Sequence, residues 1–164
     1  MSEDKYPLQQ LVRIKQRRLE EAERILKEKK EALEKEQEKL KKVEAERNQT
    51  FQHKKDKMEQ LRQELDRGTT SDKIEMMRQY IKVVEEELKQ KEKKVETQKA
   101  QVEDAKKAVE AARQEMLKKQ QDVEKLKIHR KEWEKEMKAL EIHQEGIEND
   151  ELGTAMHTSK KFKR

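Results

Sequence analysis

The chain has 164 residues, of which 48% are charged and 30% hydrophobic, and its formal net charge is +5 at pH 7. This is too little apolar material for the three-dimensional core of a compact globular domain of the same length. The sequence contains no Cys and no run of more than two apolar residues, which excludes a disulfide framework and predicts neither a membrane-spanning segment nor a signal peptide. We therefore expect a cytoplasmic protein.

The composition alone is compatible with two classes of protein. Leu, Ile, Val and Phe together make 18% of the chain, a fraction typical of disordered proteins. Ala, Glu, Lys, Leu and Arg together make more than half, which is typical of long helices and coiled coils. The periodicity of the apolar residues decides for the second class.

The first predicted helix covers residues 7–67 and follows an N-terminal extension of residues 1–6. Pro7 suits a first helical turn, because the N–H that proline lacks would have no helical partner there. A seven-residue repeat then aligns a row of apolar side chains, namely Val12, Leu19, Leu26, Leu33, Leu40 and Leu61. Within this row a stutter shifts the spacing. The apolar seam is then expected to continue through Phe51, Met58 and Leu65.

The strongest interruption inside the chain is the segment of residues 68–71, which we predict to be a turn. Gly68 can adopt the left-handed conformation that ends many helices. Asp72 is predicted to cap the next helix, and Glu75, three residues later, would complete a capping box. The sequence therefore predicts two helices separated by a short turn.

The second predicted helix covers residues 72–149 and has the clearest periodicity in the chain. Eleven heptads that start at Ile74 contain 22 seam positions, of which 17 are apolar. A strict seven-residue repeat in so polar a chain indicates a narrow seam packed against another helix. Gly146 and Gly153 mark the end of the pattern, and residues 150–164 are predicted to form a flexible basic tail.

The seams of the two helices are out of phase across Gly68, which favours a fold-back over one continuous rod. We therefore predict an all-α fold: a single-chain antiparallel two-helix coiled-coil hairpin with a longer second helix. Folding back pairs residues whose numbers add to about 138 or 139, so the second helix extends past the start of the first. This extension is expected to leave several seam residues without a partner in the same chain, namely Trp133, Met137, Leu140 and Ile147.

A second group of apolar residues lies off the seam beside the turn. Its members, Met76, Tyr80 and Val83, have the spacing of one helix face. Single exposed apolar residues are normal on protein surfaces. The stripe is therefore open to two interpretations, loose packing or a docking surface.

The sequence lacks the residue patterns of an enzyme or a cofactor site. Its four histidines have no metal-binding spacing and no Cys to assist them, namely His53, His129, His143 and His157. The three Gly residues are isolated, so no phosphate-binding loop is predicted. We expect no catalytic residue, no metal ion and no cofactor.

Short motifs near both ends of the chain resemble those of a known family. The opening helix contains a Leu-x-x-Ile-Lys-x-x-Arg-x-x-x-Ala-Glu pattern formed by Leu11, Ile14, Lys15, Arg18, Ala22 and Glu23. The later segment reads Asn149-Asp150-Glu151-Leu152. The first pattern resembles the start of the YscO family of type III secretion proteins, whose flagellar relatives are the FliJ proteins. The second is similar to an acidic Asp-Glu-Leu segment of that family.

The resemblance implies a non-enzymatic stalk or adaptor, similar to the central stalk of rotary ATPases. It would lie in the cytoplasm, peripherally associated with the secretion apparatus, and the resemblance leaves open whether it is itself exported. The end with both termini would engage the secretion ATPase through Leu11, Ile14, Lys15, Arg18, Trp133, Met137 and Leu140. The turn end would contact the export gate protein through Met76, Tyr80 and Val83. Other implied partners are the needle-length regulator and the chaperones of translocator proteins.

Two alternative functions are compatible with the same residues. A structural homodimeric coiled-coil rod or scaffold would have the same periodicity. A charge-driven binder of nucleic acids or membrane surfaces would use the basic cluster within residues 160–164. Specific nucleic-acid binding is not expected, because it requires a basic face that the interleaved charges do not provide.

Overall fold

The structure is a computed structural model that describes the backbone of residues 6–162 and the side chains of residues 6–160. These residues form two helices, α1 (Gln9–Arg67) and α2 (Ser71–Phe162), and no strand. The helices are antiparallel, because Gln9 contacts Arg130 while Glu64 contacts Lys73 beside the turn. The predicted all-α hairpin with a longer second helix is confirmed.

The residue before Pro7 belongs to the folded structure. α1 begins at Gln9 instead of residue 7, and a turn precedes it. In this turn the Gln9 N–H donates to the Tyr6 carbonyl at 3.1 Å. Tyr6 is thereby held against the hairpin and buried, whereas the sequence predicts an extension for residues 1–6. Residues 1–5 lie outside the described part of the chain.

α1 ends at Arg67, and Gly68 follows it with a φ of +78°. The Gly68 N–H donates to the Leu65 carbonyl at 3.3 Å, so the last turn of the helix is closed by a hydrogen bond. At this φ the Cβ of another L-residue would crowd its own carbonyl oxygen. Glycine is therefore favoured at the position where the chain leaves α1.

Thr70 caps α2. Its hydroxyl accepts a hydrogen bond from the Lys73 N–H at 3.4 Å, and its carbonyl accepts one from the Ile74 N–H at 3.2 Å. These are the bonds expected of an N-cap residue. The predicted cap at Asp72 is therefore wrong. Asp72 lies within the first turn, where its negative charge interacts favourably with the positive end of the helix dipole.

The chain divides into two compact units, each containing part of both helices. The turn unit is Glu23–Glu115, and the terminal unit is Met1–Ala22 together with Met116–Arg164. The core of the turn unit is a row of buried side chains from the predicted seams: Leu26, Ile81, Val84, Leu88, Val95, Val102, Val109 and Ala112. In the terminal unit, Tyr6, Leu19 and Val123 are buried.

Near the turn, α1 presents a different face from the one predicted. Phe51, Met58 and Leu65 are 44%, 50% and 47% exposed. The positions one residue earlier are buried or half-buried, namely Thr50, Lys57 and Glu64. The expected seam through the three apolar residues is therefore wrong, and so is the expected stutter. The less exposed positions of α1 keep the 3-4 spacing without interruption up to the turn, at residues 40, 43, 47, 50, 54, 57, 61 and 64. Lysine tolerates such a position because its stem packs while its ammonium reaches water.

The pairing register agrees with the prediction within each unit. Gln9 contacts Arg130 in the terminal unit, and Lys54 contacts Glu85 in the turn unit. The residue numbers of both pairs add to 139. The predicted fold-back about Gly68 thus gives the correct neighbours across the hairpin.

α2 continues to Phe162, beyond the predicted end at residue 149. Gly146 and Gly153 lie inside the helix, because a single glycine costs a helix only about 1 kcal/mol relative to alanine. Residues 150–162 are therefore helical where the sequence predicts a flexible tail. All side chains from 138 to 160 are exposed. We refer to residues 138–160 as the α2 extension.

Candidate protein-docking surfaces

Tyr6 packs against Trp133 in the terminal unit. The ring centroids are 5.3 Å apart and the rings are tilted by 58°. Tilted aromatic pairs at this distance are stabilising beyond the area that they bury, and Tyr6 is only 2% exposed. The prediction that Trp133 has no partner in the same chain is therefore wrong. Tyr6 supplies that partner from ahead of the first helix.

Polar contacts fix the position of Tyr6. Its hydroxyl is hydrogen-bonded to Nδ1 of His129, and the Arg130 guanidinium carbon lies 5.9 Å from its ring centroid. Arg130 also donates to Gln9 Oε1 at 3.2 Å and to Glu134 Oε1 at 3.1 Å. His129 and Arg130 thus hold the N-terminal residues against α2. This positioning role of His129 and Arg130 was not predicted from the sequence.

The residues of α1 that the family resemblance assigns to the ATPase differ in accessibility. Leu11, Ile14 and Arg18 are exposed, and their spacing places them on one face of the helix. Lys15 is half-buried, and its ammonium lies 3.5 Å from the Asp122 carboxylate. Three of these four side chains are therefore available to a partner, while Lys15 forms an ion pair inside the chain.

The predicted residues of α2 lie where the packed part of the terminal unit gives way to the α2 extension. Trp133 and Met137 are half-buried, and Leu140 is exposed. The extension contains further exposed apolar side chains, namely Ile142, Ile147, Leu152 and Met156. Residues 140–152 also contain five carboxylates and no Lys or Arg. This part of α2 is therefore an acidic helix with uncovered apolar side chains.

The stripe beside the turn is exposed at both ends and tethered in the middle. Met76 and Val83 are 73% and 63% exposed. Between them, the Tyr80 hydroxyl lies 2.8 Å from Nε2 of His53, and the Lys57 ammonium lies 5.4 Å from the Tyr80 ring centroid. The structure thus places Met76, Tyr80 and Val83 on an accessible surface and shows that α1 orients the central ring.

A groove in the turn unit was not predicted from the sequence. It has a volume of about 380 Å³ and an apolar lining formed by Met58, Leu61, Leu65 and Ile81. The signal that could have located it is the seven-residue repeat of Phe51, Met58 and Leu65. Periodicity alone does not distinguish a buried seam from an exposed row that runs beside it.

The sequence model of the YscO-like protein family matches residues 3–163. The chain belongs to the YscO-like family. A solved structure of a Chlamydia trachomatis protein, proposed to be a YscO homolog, is 44% identical in sequence, and the two chains superpose with a TM-score of 0.91. That match covers 97% of this chain and 98% of the Chlamydia chain. A comparison with curated proteins found no significant match.

Family membership confirms the resemblance carried by the opening helix and, with it, the type III secretion context. YscO-like proteins are structural secretion proteins, so the partners of this chain belong to the secretion apparatus. Within residues 6–162, neither helix has a stretch with the length and hydropathy that a membrane crossing requires.

Proposed function

We propose that this protein is a type III secretion stalk that links the secretion ATPase to the export gate and catalyses no reaction. The family match over residues 3–163 carries this proposal. The hairpin supports it, because residues near both ends of the chain share the terminal unit, whereas the turn belongs to the other unit. Separate docking surfaces in the two units can serve two partners.

The terminal unit is the proposed ATPase-binding end. Leu11, Ile14 and Arg18 offer an exposed face on α1, and Leu140 offers an exposed apolar side chain on α2. The remaining residues of the predicted set are half-buried and lie beneath or beside these exposed side chains, namely Lys15, Trp133 and Met137. Arginine is enriched at the energetic centre of protein interfaces, and Arg18 supplies one beside exposed apolar side chains.

The stripe of Met76, Tyr80 and Val83 is the proposed contact for the export gate. Met76 and Val83 can bury their side chains in a partner, and Tyr80 adds a ring whose orientation is already fixed by His53. A pre-oriented aromatic residue loses little conformational entropy on binding. These features favour a docking surface over loose packing as the interpretation of the stripe.

A stalk of this kind acts by differential binding. It can change the state of an ATPase ring only if it binds one conformation of the ring more tightly than the others. The proposed location is the cytoplasmic side of the secretion apparatus, where the needle-length regulator and translocator chaperones would be further partners. The alternative of an uninterrupted homodimeric rod is disfavoured by contacts within one chain, such as the one between Lys54 and Glu85.

Binding to the purified secretion ATPase tests the terminal surface. We expect the unaltered protein to stimulate ATP hydrolysis by the ATPase. Leu140→Asp should weaken binding about tenfold or more and remove this stimulation, since a buried unpaired charge would oppose docking. Ile128→Asp is the matched control, because Ile128 lies in the same helix and unit and is 57% exposed, against 52% for Leu140. Equal effects of the two variants would refute the assignment of this surface.

Binding to the export gate protein tests the turn stripe. Met76→Ser combined with Val83→Ser is expected to weaken gate binding and to leave ATPase binding unchanged. Ile25→Ser serves as the control, because Ile25 is an exposed apolar residue of the same unit that lies outside the stripe. If the double variant binds the gate as tightly as the unaltered protein, the stripe has no such role.

A further inference from the structure

An apolar groove runs between the two helices of the turn unit. Leu61 and Ile81 lie deeper in it, and the half-exposed Met58 and Leu65 form its outer part. A second groove of about 270 Å³ follows beside Phe51 and Leu88. Residues 51, 58 and 65 recur every seven positions, so these three apolar side chains are spread over about 21 Å at 1.5 Å per residue.

The rim of the first groove is basic. Arg62 on α1 and Arg78 and Lys82 on α2 line it together with a single carboxylate, Glu85. Glu85 is paired with Lys54 at 3.7 Å. Within the part of the chain that the structure describes, none of the three cations Arg62, Arg78 and Lys82 forms an ion pair. Three cationic side chains and one carboxylate therefore surround the apolar floor, and none of the three cations is held in an ion pair by a described residue.

This groove is separate from the stripe proposed for the export gate. Each residue of a helix is rotated by 100° from the one before it. Relative to the buried Ile81, this places Arg78, Lys82 and Glu85 on one side of α2 and Tyr80 and Val83 on the other. A partner in the groove would therefore contact a different flank of the turn unit from a partner on the stripe.

We propose that this groove docks an amphipathic helix of another protein, with apolar side chains that repeat every seven residues and with carboxylates on both flanks. A helix laid along residues 51–65 would bury its apolar side chains against Phe51, Met58 and Leu65, which have the same seven-residue spacing. Its carboxylates would face Arg62, Arg78 and Lys82. An apolar floor favours a protein helix over a nucleic acid, whose phosphates need cations but no apolar groove.

The test uses the full-length protein and two synthetic 22-residue peptides that share a Leu heptad seam. One peptide carries Glu at the flanking positions and the other carries Lys at the same positions. We expect the Glu peptide to bind at least about tenfold more tightly, with an affinity that falls as salt is raised. Arg78→Glu combined with Lys82→Glu should reverse the preference, and Met58→Ser combined with Leu65→Ser should abolish binding of both peptides.

Controls distinguish this site from other surfaces. Met76→Ser combined with Val83→Ser alters the opposite flank and is expected to leave peptide binding unchanged. Circular dichroism confirms that each variant keeps its helices. The proposal is overturned if the two peptides bind equally or if the opposite-flank variant weakens binding as much as the groove variant. It is also overturned if the chain self-associates in sedimentation and Met58→Ser combined with Leu65→Ser makes it monomeric, because the occupant would then be a second copy.

Discussion

His53 on α1 and Tyr80 on α2 share a hydrogen bond of 2.8 Å, and their rings meet nearly at right angles with centroids 5.8 Å apart. The pair joins the two helices near the turn while leaving part of the Tyr80 ring accessible. It selects one orientation of a side chain that would otherwise sample several rotamers at the surface. His53 is therefore a positioning residue for the stripe of Met76, Tyr80 and Val83.

Loss of the bond between His53 and Tyr80 is expected to weaken gate binding without unfolding the protein. For His53→Leu we expect about a threefold loss of affinity and a stability change within about 1 kcal/mol, because the bond is exposed to solvent. Tyr80→Phe removes the same bond and keeps the ring, so it should have the same effect. If Tyr80→Phe binds normally while Tyr80→Ala does not, the ring alone suffices and the positioning role fails.

Removal of the Tyr6 ring should expose Trp133 to water. Tyr6→Ala is expected to shift the emission of this single tryptophan to longer wavelength. It should also lower the free energy of unfolding by about 3 kcal/mol, as for other buried aromatic residues. Tyr6→Phe keeps the ring contact and loses only the bond to His129, so its cost should be about 1 kcal/mol with unchanged emission. Unchanged fluorescence in Tyr6→Ala would contradict the contact with Trp133.

Gln98 and Glu36 form a polar link between the helices of the turn unit. The Gln98 amide is largely buried and donates to the Glu36 carbonyl at 2.9 Å and to its carboxylate at 2.5 Å. Gln98→Ala removes both bonds and is expected to cost about 1–3 kcal/mol. Glu36→Ala should cost less, because the backbone carbonyl at position 36 still accepts from Gln98. The double variant should cost less than the sum of the two, as denaturant unfolding can measure. Strict additivity would mean that the two residues act independently.

The same substitution at two glycines is expected to change stability in opposite directions. Gly68→Ala should lower the free energy of unfolding by about 1–2 kcal/mol, because its φ of +78° disfavours an L-residue. Gly146→Ala should increase the helix content of the α2 extension, because alanine favours helix by about 1 kcal/mol. Beyond the local backbone, an added Cβ at either position would meet no atom within 4 Å, so clashes with other parts of the chain do not confuse the comparison. Circular dichroism and thermal unfolding measure both effects.

Periodicity was sufficient to predict the helices, their antiparallel arrangement and their register. It was insufficient where a buried position is polar. Near the turn, the inward face of α1 carries Thr50, Lys57 and Glu64, so a search for apolar residues at seam spacing selected the exposed neighbours at 51, 58 and 65. Lysine stems can fill a narrow two-helix seam, and this breaks the simple rule that apolar residues mark the buried face.

The remaining differences have local causes. Thr70 and Asp72 are both good N-cap residues, and only the path of the backbone after Gly68 decides between them. Tyr6 was assigned to an extension because Pro7 resembles a first helical residue, whereas Pro7 lies in a turn that folds Tyr6 onto Trp133. The groove lined by Met58 and Leu65 exists because the seven-residue row of Leu40 and Leu61 continues without a stutter, which leaves Phe51, Met58 and Leu65 one position beyond the inward face.

The uncovered α2 extension has a consequence for detecting partners. Its backbone hydrogen bonds have no neighbouring element to shield them, and two glycines lie among them. Amide protons of residues 138–160 should therefore exchange with deuterated solvent far faster than those beside Val84 and Val95, which are almost completely inaccessible. A protein that binds the α2 extension should slow amide exchange there. The amides beside Val84 and Val95 serve as the reference, because their exchange is slow with or without the partner.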